Sequence, residues 1–219
     1  MMIKTMVYTI VILFALNAMA VSDGGFVLNV LHDNELVREI TEDGKRRAAI
    51  PFENEYKLRL KNTHARRCTA RVKIDGALVS KLGDIIVNSN GHLDLERFLD
   101  ASLSEGKRFK FVTLEHPDVD DPKRVENGLI EVEFRLEKER VYIQQPNYFI
   151  PPNQYYFTNS WGFGDIIFTT TDCSATINCS ATMPGATVGG SQSQQSFHKA
   201  TMDTEEKVVT LKLWLRGIK

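Results

Sequence analysis

Along most of the chain, apolar and polar residues alternate with a period of two, the mark of strands with one dry and one wet face. Tyr56, Leu58 and Leu60 alternate with Lys57, Arg59 and Lys61. Cys68, Ala70, Val72 and Ile74 alternate with Thr69, Arg71 and Lys73, and Ile130, Val132 and Phe134 with Glu131, Glu133 and Arg135. The pattern predicts further short strands over 26–31, 36–40, 77–79, 84–87, 92–95, 109–114, 141–143 and 165–171. Glu42-Asp43-Gly44 ends the 36–40 strand, and Asp75-Gly76 predicts a tight turn into 77–79. Val209, Leu211, Leu213 and Leu215 give the clearest alternation of all. This terminal strand has few neighbours in sequence, so it is expected to complete a sheet with strands formed early in the chain. One short helix is expected, over 95–103. Many short strands divided by Gly, Pro, Asn and Asp turns predict an all-β fold, an antiparallel β-sandwich or jelly-roll-like body.

Two segments break the alternation. Residues 144–164 are rich in Pro, Asn, Gln and aromatics, and 173–196 in Ser, Thr, Gly and Gln with no charged residue. They predict long loops at 144–164 and 173–200 in a single domain spanning 21–219. Loops of that length in a compact domain are usually functional or disordered.

Composition narrows the class. A chain of 219 residues with 42% hydrophobic and 25% charged residues can build a core without disulfides or metals. Lys+Arg is 27 and Asp+Glu is 28, so there is no basic footprint for duplex nucleic acid. Only one long apolar run exists, at the N-terminus, which excludes a polytopic membrane protein. That run reads as an export signal: Lys4 gives a positive start, 5–16 is apolar and uncharged, and Ala18-Met19-Ala20 is a small-x-small cleavage site. Cleavage after Ala20 is expected, with an uncleaved signal helix as the alternative. The expected location is secreted or extracellular, or else membrane-anchored.

Export permits disulfides. Of the three cysteines, Cys173 and Cys179 share one loop and form the simplest pair, while Cys68 opens an alternating strand as a small apolar group. A bridge from Cys68 to either loop cysteine stays open. Asn178-Cys179-Ser180 is a glycosylation sequon, placed where glycan and disulfide would compete.

Several blocks carry a resemblance: "YKLRLKN" at 56–62, "RRCTARVKIDG" at 66–76, "LERF" at 95–98, "ENGLIEVEFRLEK" at 126–138, "GATVGGSQSQQSFHKA" at 185–200 and "VVTLKLWL" at 208–215. The chain resembles a loosely defined group of uncharacterised all-β proteins of large DNA viruses, algae and protists. The resemblance implies a β-rich fold and a surface or virion-associated role, and it carries over no catalytic residue.

Catalytic and metal motifs are missing: there is no HExxH, CxxC, GxSxG, Walker A or strand-linked GxGxxG. Gly189-Gly190-Ser191-Gln192-Ser193 comes nearest to a hydrolase elbow but ends in Ser. His32, His64, His92, His116 and His198 lack ligand spacing. Asp118-Val119-Asp120-Asp121-Pro122 lacks the Gly and distal Glu of a calcium loop and reads as a rigid polar turn. Arg46, Arg47, Arg66 and Arg67 form two basic pairs expected at turn ends. The strongest signal is aromatic. Tyr148, Phe149, Tyr155, Tyr156, Phe157, Trp161 and Phe163 fall in one stretch of a chain with 2 Trp, 6 Tyr and 12 Phe. Rigid rings interleaved with amides suit contact surfaces and stacking on sugar faces; burial within the chain is the competing reading.

The expectation is therefore a secreted, non-enzymatic structural or adhesion module, with Tyr148, Phe149, Tyr155, Tyr156 and Trp161 as its binding residues. It needs no cofactor or metal, and its partner is a protein or glycan surface, or a further copy of itself. Nucleic acid is excluded, and a membrane enters only if the N-terminal helix is retained. One alternative is a virion-associated structural protein anchored by that helix. Another is an extracellular carbohydrate-active enzyme or lectin on a jelly-roll scaffold, whose carboxylate pair would come from Asp118, Asp120, Glu131 and Glu133.

Overall fold

The computed structural model describes residues 21–139 and 182–218. The chain divides into two units, Met1–Lys138 with Ala181–Lys219, and Glu139–Ser180. Every described strand belongs to the first unit. These are β1 (Val21–Asp23), β2 (Phe26–His32), β3 (Glu35–Leu36), β4 (Glu39–Glu42), β5 (Lys45–Pro51), β6 (Asn54–Asn62) and β7 (Cys68–Ile74). They continue as β8 (Ala77–Leu78), β9 (Ile85–Val87), β10 (Gly91–Leu95), β11 (Gly106–Thr113), β12 (Leu129–Leu136), β13 (Gly185–Ser193) and β14 (Val209–Ile218). The fold is all-β, with no helix among the described residues.

The strands form two seven-stranded sheets. The first runs β1-β2-β6-β11-β13, with β3 added to β2 and β10 to β6. The second runs β4-β5-β14-β12-β7-β8, with β9 added to β7. Pairing is antiparallel except between β14 and β5, where Trp214 stands opposite Arg47 in a parallel register. The late strand β14 thus joins the early β5 to β12, the kind of pairing expected of a strand with few neighbours in sequence.

The period-two pattern explains the core. Leu58 and Leu60 of β6, Phe26, Leu28 and Val30 of β2, and Phe109 and Phe111 of β11 share one buried cluster with residues of the second sheet. The latter include Ala70, Val72, Ile130, Val132, Phe134, Leu213 and Leu215. Phe26 of one sheet stacks on Phe134 of the other at 4.5 Å between ring centroids. Burying each large side chain of this kind contributes about 2 kcal/mol. The opposite faces carry cross-strand ion pairs. Lys73 meets Glu131 at 2.9 Å and Glu133 at 2.8 Å, Lys212 meets Glu131 at 2.8 Å, and Arg59 grips Asp94 through two contacts of 2.7 Å.

Three expectations are corrected. Residues 95–103 are not a helix: Leu95 ends β10, and isolated bridges join Arg97 to Arg108 and Ser80 to Leu99. Their apolar spacing serves separate neighbours, with Leu95 and Leu99 in the core and Phe98 edge-on to Phe109. The 36–40 segment is not one strand. Its start, β3, pairs with β2 in the first sheet, and its end lies in β4, which pairs with β5 in the second. The described part of 173–200 contains the regular strand β13, paired along β11. Small residues suit it, because a Cβ on Gly189 would lie 2.6 Å from the Lys107 side chain.

The expected Asp75-Gly76 turn is present. Both residues have positive φ, 52° and 78°, and they join Ile74 to Ala77 as a two-residue hairpin loop. Gly217 of β14 is needed for a different reason. A Cβ there would fall 1.9 Å from the ring of Phe52, which stacks on Phe111.

Candidate functional site

Tyr148, Phe149, Tyr155, Tyr156 and Trp161, the sequon Asn178 and the cysteines Cys173 and Cys179 lie outside the described residues, as do the strands expected over 141–143 and 165–171. The structure does describe the chain on either side of this stretch. The outgoing chain follows β12 of the second sheet, and the returning chain enters β13 at the edge of the first. On the outgoing side, Arg67 donates from Nε and Nη2 to the two Glu137 carboxylate oxygens at 3.0 and 2.6 Å. Arg66 donates to the Glu137 main-chain carbonyl at 2.9 Å and to the Glu205 carboxylate at 2.6 Å. Main-chain bonds from Glu137 N to the Arg67 carbonyl and from Lys138 N to the Asp203 carbonyl add to the fastening, both within 2.9 Å. On the returning side, Met183 and Gly217 exchange both N–H···O bonds, at 2.9 and 2.7 Å. The Arg66-Arg67 pair therefore fastens Glu137, just past β12, and Glu205 to the start of β7. Sequence shows two arginines there but not the Glu137 and Glu205 that receive them.

Three buried charged groups escaped the sequence reading. Asp75 sits 9% exposed in its turn. Its carboxylate accepts the N–H of Gly128 and the N–H of Thr187, both at 2.6 Å. The Thr187 hydroxyl in turn shares a 2.8 Å hydrogen bond with the Tyr56 phenol. One carboxylate so ties the β7–β8 turn of the second sheet to β13 of the first. Burial pushes its carboxyl up to about 6, against the pull of the two amides and Arg124. Burial also pushes the Tyr56 phenol up.

Arg97 is fully buried. Its guanidinium donates from Nε to the Gln195 carbonyl at 2.8 Å, and from Nη1 to the carbonyls of Phe98, Ser102 and Glu105. It also lies 5.2 Å from the Phe197 ring centroid. Dispersed carbonyl dipoles and a ring face stand where a carboxylate would ordinarily be. The third group, Glu39, has a side chain only 2% exposed and 3.8 Å from Arg46 Nε. Neither of its oxygens closes a hydrogen bond, and burial pushes its carboxyl up to about 7.

The other candidates resolve as structural parts. Glu131 and Glu133 are bound by lysines on an outer face, and Lys212 followed by Lys73 holds the Glu131 carboxyl below its ordinary range. They form a cross-strand ladder. His116 Nδ1 accepts the Asp118 N–H, and the Asp121 carboxylate accepts the Lys123 N–H, so the acidic cluster closes on its own turn. Arg47 pairs with Glu42 and Asp43. The Gly189–Ser193 stretch that came nearest to a hydrolase elbow is regular strand. Cys68 is a free, buried thiol that burial pushes up to about 12, far from thiolate chemistry at neutral pH. Among the described residues no three His, Cys, Asp or Glu side chains gather closely enough to hold a metal. An open groove of about 610 Å³ runs beside β13, lined by Ser102, Glu105, Lys107, Asp118 and Gln192 among others.

No protein family, no curated protein and no solved structure matches this chain.

Proposed function

We propose that this protein is a secreted β-sandwich of jelly-roll-like build that works by contact and not by chemistry, as a structural or adhesion module. The contact surface is the aromatic stretch that includes Tyr148, Phe149, Tyr155, Tyr156 and Trp161. The observation that carries the reading is the pairing of that stretch with the described chain on either side of it. An insertion unusually dense in aromatics leaves a double-sheet body at a point fastened by Arg66, Arg67 and Glu137, and returns at the Met183–Gly217 bridge. Recognition segments are commonly carried on loops positioned by a rigid scaffold. The described surface elsewhere is laced with ion pairs, which suits solvation better than adhesion. Rings offer large contact area at low entropic cost, and neighbouring Asn and Gln supply hydrogen bonds to a protein or glycan partner.

The test is binding of the purified chain to intact cells and to an array of glycans, beside a variant with Tyr148, Phe149, Tyr155, Tyr156 and Trp161 all changed to Ser. The expected result is saturable binding by the parent and a loss of at least tenfold in the variant. A parent that stays monomeric and binds neither surface, or a folded variant that binds equally well, overturns the proposal.

A further inference from the structure

Glu39 presents an unresolved electrostatic problem. Its carboxyl group is out of water, and neither oxygen closes a hydrogen bond. Such a group is costly unless a donor or positive charge meets it. Arg46 supplies a charge at 3.8 Å, beyond hydrogen-bond reach, from a side chain that is 24% exposed. The other groups that face the carboxyl are the Asn29 side-chain amide and the main-chain N–H of Val21.

Strand register explains why Val21 is there. Val21 stands opposite Leu28 on β2. The same edge of β2 is occupied further along by β3 and the chain leaving it, where Val37 donates its N–H to the Val30 carbonyl at 2.9 Å. Both segments run antiparallel to β2, so the chain leaving β3 ends where β1 begins, beside Asn29, with Glu39 two residues past Val37. Val21 is itself buried, 7% exposed, so packing holds its nitrogen at this junction.

We propose that removal of residues 1–20 turns the Val21 nitrogen into a buried α-ammonium that pairs with the Glu39 carboxylate, a maturation latch between β1 and β4. The inference rests on the reading of the chain as exported. An export-associated endoprotease and one water cut the Ala20–Val21 bond. The water oxygen adds to the Ala20 carbonyl carbon, which leaves as a carboxylate, the Val21 nitrogen ends as –NH3+, and nothing is oxidised or reduced. Before the cut this nitrogen offers one fixed donor and no charge. Afterwards it offers three donors and a positive charge in the same place. β1 belongs to the first sheet and β4 to the second, so the latch joins the sheets at their edges. The cut precedes folding, because Val21 is paired and buried in the folded chain.

The experiment compares melting temperatures of four purified chains released from a cleavable fusion. One begins at Val21, one retains Ala20, and the other two are the same pair carrying Glu39→Gln. The chain beginning at Val21 is expected to melt about 5 °C above the chain retaining Ala20, with the gap closing in the Gln pair. Titration of the Val21 amine by NMR gives a second reading that needs no Glu39 variant. The amine is expected to hold its proton above the ordinary terminal range of about 7.7–8.0. Equal melting of the two parent chains, or an amine that titrates in the ordinary range, overturns the latch. N-terminal sequencing of protein made by secreting cells reads the export proposal separately. A start at Met1 removes that proposal and the cut, whereas a start at Val21 without a stability gain removes the latch alone.

Discussion

Asp75 and Glu39 are both carboxyl groups withdrawn from water, and their surroundings differ in one respect. Asp75 faces two main-chain N–H groups at 2.6 Å, with Arg124 contributing charge from nearby. Glu39 faces an arginine at 3.8 Å and donors that do not close. The first is a completed joint between the two sheets, and burial is partly offset by strong charge-assisted hydrogen bonds. The second is a site whose partner set is unfinished while Val21 remains an amide. Burial alone thus says little about a carboxylate; the donors within reach decide whether it holds the structure together or strains it.

The sharpest way to break this contrast is Asp75→Ala. It orphans the Gly128 and Thr187 N–H groups and leaves alanine at a φ of 52°. The expected loss is about 4 kcal/mol of unfolding free energy, read by urea denaturation.

The next effect is a pH dependence. Both carboxyls have folded-state pKa values above their ordinary ones, about 6 for Asp75 and about 7 for Glu39. Between pH 4 and 7 the folded chain therefore holds protons that the unfolded chain has released. The stability these groups contribute is fully present at low pH and is lost as pH rises through those values. In the chain that retains residues 1–20, the parent should lose on the order of 3 kcal/mol relative to Glu39→Gln between pH 4 and 8. Denaturation midpoints across that range check it. Asp94, held low by its hydrogen bonds to Arg59, acts in the opposite sense and is common to both proteins, so it cancels in the difference.

A smaller change sharpens the account of the completed joint. Tyr56→Phe removes the phenol that meets Thr187 and keeps the ring beside Phe109. It should cost about 1 kcal/mol. In a double-mutant cycle it should couple to Thr187→Val. The smallest effect belongs to the outer faces. Lys73→Ala breaks the contacts to Glu131 and Glu133, yet its expected cost is about 0.5 kcal/mol, fading in 1 M salt.

The strands legible from alternation are those whose outer positions carry charge. Lys57, Arg59 and Lys61 mark β6 as plainly as Glu131 and Glu133 mark β12. β13 was hidden because Gly, Ser and Thr give no contrast between its faces, and its small residues answer to the crowding of Lys107 and Glu55. β5 was hidden because only Ala48 and Ile50 of its seven residues are buried, beside conspicuous arginines. The site was less legible than the fold. A sequence displays Asp75, Arg97 and Glu39 as charges, and charges read as surface. What makes them buried parts is a set of carbonyls, amides and strand registers contributed from distant positions. Asp75 in particular is answered by Gly128 and Thr187, which no local pattern connects to it.

The place of β14 has a consequence for the time course of assembly. It fills the slot between β5 and β12, so the β4–β5 hairpin and the β12–β7 pair share no common strand until β14 arrives. Contacts between positions as distant as Arg47 and Trp214 close slowly, because a long loop must be ordered first. The second sheet is therefore completed only once β14 has been made, whereas the strands of the first sheet have all been made before it and do not wait for it.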